Sequence, residues 1–119
     1  MPELARERCQ VCTAGTPTLD PEEAERLGSE LGGPWAIDAG VLRRRFAFPN
    51  FGAAFALATR VAMLAEREGH HPDLHVGWGY CEVELTTHAA GGLTRNDFIM
   101  AAKVERAAAS PLGGGRPEG

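Results

Sequence analysis

The chain has 119 residues, a mass of 12.7 kDa and a formal net charge of -4, with 44% hydrophobic and 24% charged residues. This length suits one domain with one core, and the ordinary composition argues against a disordered, collagen-like or disulfide-stapled chain. The acidic balance and the lack of a run of about 20 apolar residues argue against nucleic-acid and membrane partners. The N-terminus has no apolar signal region, so we expect a cytoplasmic protein.

The predicted elements alternate helices with pairs of strands. Asp20 and Pro21 are typical of a helix start, Gly69 is typical of a helix end, and Asp97 is placed to complete a capping box with Thr94. In chain order the prediction is a helix after Asp20, a β-hairpin over 35–48, a helix from Asn50 to about Glu68, strands over 74–78 and 80–87, and a helix from Thr94. We expect an N-terminal arm over residues 1–19, one domain over 20–108 and a flexible Gly- and Pro-rich tail over 109–119.

This order predicts an α+β fold. It is a two-layer sandwich with a four-stranded antiparallel sheet and helices on one face, in the order α-β-β-α-β-β-α. Alternation places four charged side chains and a histidine on the uncovered sheet face: Arg43, Arg45, Glu82, Glu84 and His75. A half-exposed sheet favours a homodimer or homotetramer, whereas these charges argue against burying that face. Arg44 falls in phase with the apolar side chains of its strand, which the pattern does not explain.

Three histidines are predicted to meet beside the second strand pair. His70 and His71 directly follow Gly69, and His88 ends the fourth strand. Because a hairpin returns its end beside its start, His88 should lie close to the other two. Histidine titrates near neutral pH, so such a cluster can hold one acid and one base. The alternatives are solvated loop histidines, histidines that cap helix carbonyls, and a zinc site, for which adjacent histidines are poor ligand spacing.

These residues are part of a longer motif that resembles a known family. Glu66, His70-His71-Pro72, Trp78, His88 and Asp97 resemble the signature of the pterin-4a-carbinolamine dehydratases, with similarity over about residues 20–107. The resemblance implies a hydro-lyase that converts 4a-hydroxytetrahydrobiopterin to quinonoid dihydropterin and water, in support of tetrahydropterin recycling. It implies neither a metal nor an organic cofactor.

The resemblance also implies roles for individual residues. By the family's pattern, His70, His71 and His88 line the pterin site. Our own hypothesis is that His70 and His88 are the proton-transfer pair and that His71 is a positioning residue. Four residues are expected to wall the pocket: Pro72, Thr87, Ala89 and Ala90. For Asp97 we favour helix capping over catalysis, for Trp78 a place in the core or pocket wall, and for Glu66 either a solvated helix end or an outer contact that orients a histidine.

The remaining features leave alternatives open. Cys9 and Cys12 are most simply two free thiols on a mobile arm, although the spacing also occurs in redox motifs and in half-sites for zinc. A non-catalytic function is the second hypothesis: a regulatory partner of phenylalanine hydroxylase or of a transcription factor, or a role in molybdopterin metabolism. Loss of function on removal of His70 or His71 would distinguish an enzyme from such a scaffold.

Overall fold

The computed structural model describes residues 3–109, which form four helices and one four-stranded antiparallel sheet. The elements are α1 (Glu3–Arg6), α2 (Pro21–Ser29), β1 (Ala36–Asp38), β2 (Val41–Ala47), α3 (Phe51–Glu68), β3 (Asp73–Gly77), β4 (Tyr80–Leu85) and α4 (Arg95–Ala109). The α+β prediction is confirmed, with α1 as an additional short helix. Apart from Ala109, the predicted tail lies outside the described residues.

Local signals in the sequence set the ends of the helices. The side chain of Asn50 accepts a 2.8 Å hydrogen bond from the Ala53 N–H at the start of α3, and Asp20 does the same for Glu23 at the start of α2. Each bond satisfies a backbone donor that has no partner within its helix. At the end of α3, Gly69 adopts a left-handed conformation (φ 72°), which turns the chain towards β3.

The strands lie in the order β1-β2-β4-β3, and their register separates an apolar face from a charged one. On the apolar face, Leu42 pairs with Leu85 and Phe46 pairs with Cys81, and all four side chains are buried against the helices. Residues directly opposite on an antiparallel pair point to the same side of the sheet. The charged residues Arg43 and Glu84, which alternate with this apolar set, therefore point away from the core.

The uncovered face carries the four charged residues and the histidine that the sequence predicts there. Arg43 Nε lies 2.8 Å from Glu84 Oε2 and 3.3 Å from Glu82, so opposite charges meet across the two strands. His75 on β3 adds a 3.4 Å contact with Glu84, and the hydrogen bonds from Arg43 and His75 lower the pKa of Glu84 although burial opposes this. This face is a charged surface rather than an unfinished core.

Arg44 points to the helix side, as its phase indicates, and is neutralised there by α4. Its guanidinium is ion-paired with Glu105 and lies 4.2 Å from the centre of the Phe46 ring. The indole N–H of Trp35 donates a 2.8 Å hydrogen bond to the same Glu105 carboxylate. Burial lowers the pKa of Arg44, and its Nε has no hydrogen-bond partner within residues 3–109. The pairing residue is 61 positions away in sequence, which is why the strand pattern alone leaves Arg44 unexplained.

The N-terminal arm packs on the domain rather than standing apart from it. Leu4 and Ala5 of α1 are buried, and Lys103 of α4 donates a 2.7 Å hydrogen bond to the Ala5 carbonyl. Further along, the Cys9 N–H donates to the Glu68 carboxylate at 3.0 Å. Residues before position 20 therefore contribute to the core of the described residues. The domain boundaries at residues 20 and 108 stay a prediction. Within residues 3–109, no helix combines the length and the apolar character that crossing a membrane requires.

Candidate active site

The three predicted histidines line one cavity of about 360 Å³ between the end of α3, the end of β4 and the start of α4. His70 and His71 are placed there by the left-handed turn at Gly69, and His88 begins the turn that follows β4. That turn is closed by a bridge between Thr87 and Gly92. The proximity predicted from the hairpin is confirmed, because β3 and β4 pair around the turn at residues 78–79.

His70 is in hydrogen-bond contact with a buried carboxylate. The Nε2 atom of His70 lies 2.6 Å from Oδ1 of Asp97, whose side chain is fully buried. The other carboxylate oxygen accepts hydrogen bonds from the Thr94 N–H at 2.9 Å and from the Thr87 hydroxyl at 2.8 Å. A carboxylate that accepts the hydrogen bond of this contact holds the His70 ring in the tautomer with its proton on Nε2. In that tautomer Nδ1 is the unprotonated nitrogen of the ring.

Asp97 occupies this position because it also caps α4. Its bond to the Thr94 N–H is the reciprocal half of the predicted capping box. The hydroxyl of Thr94 lies 2.9 Å from the Thr87 hydroxyl, so the end of β4 is tied to the start of α4. The predicted capping role of Asp97 is confirmed, and the same carboxylate binds His70 as well.

His71 has an acidic partner of a different kind. Its Nε2 atom lies 2.8 Å from Oε2 of Glu66 in the last turn of α3. Both side chains are largely exposed, at 58% and 72%. Of the two interpretations for Glu66, the contact with a histidine is the one that the structure supports. An exposed pair of this kind orients the ring but adds little stability.

Comparison with known proteins places this fold and these residues in one family. The sequence model described as "Pterin 4 alpha carbinolamine dehydratase" matches residues 17–107. The chain belongs to this family. A relative from Methylococcus capsulatus, which carries the family's name, is 49% identical over 108 residues, covering 89% of this chain and 94% of the relative.

Two solved structures share the family's fold with this chain. One is described as a transcriptional coactivator/pterin dehydratase from Brucella melitensis, with a TM-score of 0.70, 30% identity and coverage of 76% of this chain and 97% of that chain. The other is a pterin dehydratase-like protein described as a RuBisCO assembly factor in the alpha-carboxysome, with a TM-score of 0.53 and 26% identity over 65% of this chain and 89% of that chain.

The wall residues expected from the family motif divide into two groups. Thr87 and Ala89 line the cavity, whereas Pro72 and Ala90 are not among its lining residues. Trp78 is 73% exposed and is not among the residues that line the cavity, so its predicted place in the core or the pocket wall is wrong. The reason is that β3 ends at Gly77, and the alternation that aligned Trp78 with Leu74 and Val76 does not extend into the turn.

Sequence reasoning missed one side of the cavity. Gln10, Val11 and Cys12 of the N-terminal arm line it together with Asn96. No local pattern signals this contact, because the arm is more than 80 residues from α4 along the chain. The three cysteines all carry free thiols, and burial raises the pKa of Cys9 to about 12. Among residues 3–109, no group of three or more His, Cys, Asp or Glu side chains could hold a metal ion.

Proposed function

We propose that this protein is a hydro-lyase that converts 4a-hydroxytetrahydrobiopterin to quinonoid dihydropterin and water. The proposal rests on the family membership and, above all, on the buried Asp97 carboxylate 2.6 Å from His70 in a cavity shared with His71 and His88. A volume of about 360 Å³ falls within the usual range for small-molecule sites.

The reaction needs two proton transfers and no change of redox state. The bond between carbon 4a and the hydroxyl oxygen breaks, and the leaving oxygen takes up one proton to depart as water. The N–H bond at ring nitrogen 5 breaks, and its electron pair forms the new double bond to carbon 4a. One acid and one base therefore suffice, and side chains positioned for general acid–base catalysis typically contribute about 10²–10⁴-fold.

The surroundings of the histidines favour distinct roles for them. His70 serves as the base through Nδ1, since Asp97 holds its tautomer and stabilises the imidazolium that forms. His88 serves as the acid that protonates the leaving hydroxyl. His71, held by Glu66, positions the substrate. Neither a metal nor an organic cofactor takes part in this scheme.

The test is the dehydration rate of freshly generated 4a-hydroxytetrahydropterin, followed by ultraviolet absorbance. His70→Ala should lower kcat by about 10²–10⁴-fold, the usual contribution of a general base. His75→Ala is the matched control, because His75 lies on the charged sheet face and contacts Glu84. His70→Ala with the rate of wild type would contradict the proposal, and His71→Ala as the most damaging variant would contradict the assigned roles.

A non-catalytic function is the second candidate. Of the two solved relatives, one is described as a transcriptional coactivator/pterin dehydratase and the other as a RuBisCO assembly factor. Well-folded wild-type protein that does not accelerate the dehydration would favour a binding or regulatory role of this kind.

We also propose that the protein forms a homodimer or homotetramer. Light scattering on the purified protein tests this oligomeric state. We further propose phenylalanine hydroxylase as a partner, and co-purification of the two proteins tests that interaction.

A further inference from the structure

The side chain of Asn96 holds the N-terminal arm at three points. Its Oδ1 accepts a 2.9 Å hydrogen bond from the Gln10 N–H, and its Nδ2 donates to the Gln10 carbonyl at 2.6 Å. Nδ2 also lies 3.2 Å from the sulfur of Cys12. Because Asn96 is only 5% exposed and engages both backbone groups of one residue, it fixes the orientation of the arm as well as its position.

A second buried side chain holds the arm one residue earlier. Glu68, at the end of α3, accepts the 3.0 Å hydrogen bond from the Cys9 N–H, and its side chain is 4% exposed. The arm is therefore attached to the two helix ends from which the site is built. His70 follows the end of α3, and Asp97 is the next residue after Asn96 in α4.

The attached segment brings an apolar side chain to the cavity. Val11 lines the cavity beside the histidines and is 92% exposed. Leaving a β-branched apolar side chain in water contributes nothing to folding, whereas an apolar surface is what the flat face of a fused ring system requires. The polar edges of such a ring can be bound by the histidines at the same time.

We propose that residues 10–12 form a wall of the substrate site, in which Val11 packs on the face of the pterin ring and Asn96 is the positioning residue that holds this wall. The identity of the ring rests on the proposed function. None of these groups takes part in the two proton transfers. Their loss should therefore weaken substrate binding and leave the chemical step intact.

Kinetics of a pair of charge substitutions test this wall. Val11→Glu should raise KM by about tenfold, the equivalent of one lost apolar contact of about 1.4 kcal/mol, with kcat within about twofold of wild type. Ala14→Glu is the matched control, because it places the same charge on an exposed position of the same arm that does not line the cavity. Equal KM values for the two variants would overturn the proposal.

Alkylation of Cys12 tests the wall without catalysis. The probe is iodoacetamide at pH 8, with the modified residue located by peptide mass spectrometry. At a 7,8-dihydrobiopterin concentration of about ten times Kd, about a tenth of the sites are free, so modification of Cys12 should slow by roughly tenfold. Cys9, with its pKa of about 12, provides a slowly reacting internal reference. A Cys12 rate unaffected by bound dihydrobiopterin would overturn the proposal.

The role of Asn96 is tested by the same reaction without ligand. Asn96→Ala should speed the modification of Cys12 and raise KM. Asn96→Asp, which replaces the donor to the Gln10 carbonyl with a second acceptor, should not restore either value. An unchanged rate of Cys12 modification in Asn96→Ala would overturn this role. If Asn96→Ala does not fold, Val11→Glu still tests the wall.

Wild-type protein that neither binds nor converts pterin would contradict the proposed function. Conversion with no protection of Cys12 contradicts the wall alone.

Discussion

The 2.6 Å contact between His70 Nε2 and Asp97 Oδ1 joins the end of α3 to the first turn of α4. The same carboxylate satisfies the Thr94 N–H and the Thr87 hydroxyl, so the group that orients the histidine also caps a helix and ties it to β4. Asp97 is fully buried, so solvent cannot readily replace any of these partners. Stability and the proposed proton transfer therefore depend on one side chain, and substitutions can separate the two effects.

Asp97→Asn and Asp97→Ala should differ in stability while both lose activity. The amide oxygen that Asp97→Asn introduces can still accept hydrogen bonds from Thr94 and Thr87, so we expect a loss of about 1–2 kcal/mol in the free energy of unfolding. Asp97→Ala leaves the Thr94 N–H without its acceptor and the Thr87 hydroxyl with only the Thr94 hydroxyl as its partner, and a loss of about 2–4 kcal/mol is expected. Urea denaturation of the two variants measures this difference, and equal losses would contradict the capping role assigned to the carboxylate.

The activity of Asp97→Asn follows from the tautomer of His70. An amide NH₂ facing Nε2 makes that nitrogen an acceptor, so the proton moves to Nδ1 and the base is lost. We expect kcat to fall by at least about 10²-fold although the variant stays folded. Asp73→Asn, at an exposed position of β3, is the control. Wild-type kcat in a folded Asp97→Asn would show that this contact does not set the tautomer.

The exposed pair of His71 and Glu66 should matter much less than the buried pair. Glu66→Gln removes a charge from a contact between two largely exposed side chains, for which about 0–1 kcal/mol of stability is typical. We expect unchanged urea denaturation and a change in KM that exceeds the change in kcat. Steady-state kinetics on the freshly generated substrate check this. A loss of kcat as large as that of His70→Ala would assign the proton transfer to His71 instead.

Glu105 should be one of the more sensitive charged positions for stability. Glu105→Leu leaves the half-buried Arg44 without its ion pair and the Trp35 indole N–H without its acceptor, so we expect a loss of about 2–4 kcal/mol. Adding Arg44→Leu removes the unpaired charge and should restore part of that loss. Urea denaturation of the single and double variants measures the coupling.

A surface pair provides the comparison for Glu105. Glu30, the residue directly after α2, lies 3.5 Å from Arg26 in the last turn of that helix, and both side chains are exposed. Glu30→Leu should therefore change the free energy of unfolding by only about 0–1 kcal/mol. Equal losses for Glu105→Leu and Glu30→Leu would contradict the importance assigned to the half-buried ion pair of Arg44 and Glu105.

Glu68 should contribute to the loss of stability in acid. Burial alone would raise its pKa, but the Cys9 N–H, Lys103 and Arg8 outweigh burial and lower the pKa below its ordinary 4.5. A carboxylate with a lowered pKa in the folded state stabilises the protein above its unfolded pKa, and this contribution is lost as the pH falls through the folded value. The stability of wild type should therefore decline below about pH 4.5.

The contribution of Glu68 is measured by urea denaturation between about pH 3 and pH 7, the range that brackets its titration. Glu68→Gln should be less stable than wild type at neutral pH and should lose less on acidification. Lys103→Met removes one of the groups that lower the pKa of Glu68. This variant should also be less stable than wild type at neutral pH and lose less stability on acidification, with smaller differences than for Glu68→Gln. Parallel pH profiles for wild type and Glu68→Gln would contradict this account.

Much of the fold could be predicted from the sequence because its signals are local. Asn50 and Gly69 mark the ends of α3 through bonds to residues three or four positions away. Alternation in β2 and β4 assigns each side chain to a face, which correctly places Arg43 and Glu84 together on the uncovered side. The meeting of the three histidines follows from the closure of one hairpin.

The tertiary structure alone decided how these elements meet. The contacts of Asp97 with His70, of Arg44 with Glu105 and of Asn96 with the arm join residues 27, 61 and 86 positions apart. Such contacts depend on how α3 and α4 pack on the sheet, and neither periodicity nor capping encodes that packing. Trp78 shows that a local pattern can also mislead. Alternation continued past the end of β3 predicts that its side chain is buried, but Trp78 lies in the turn after β3 and is exposed.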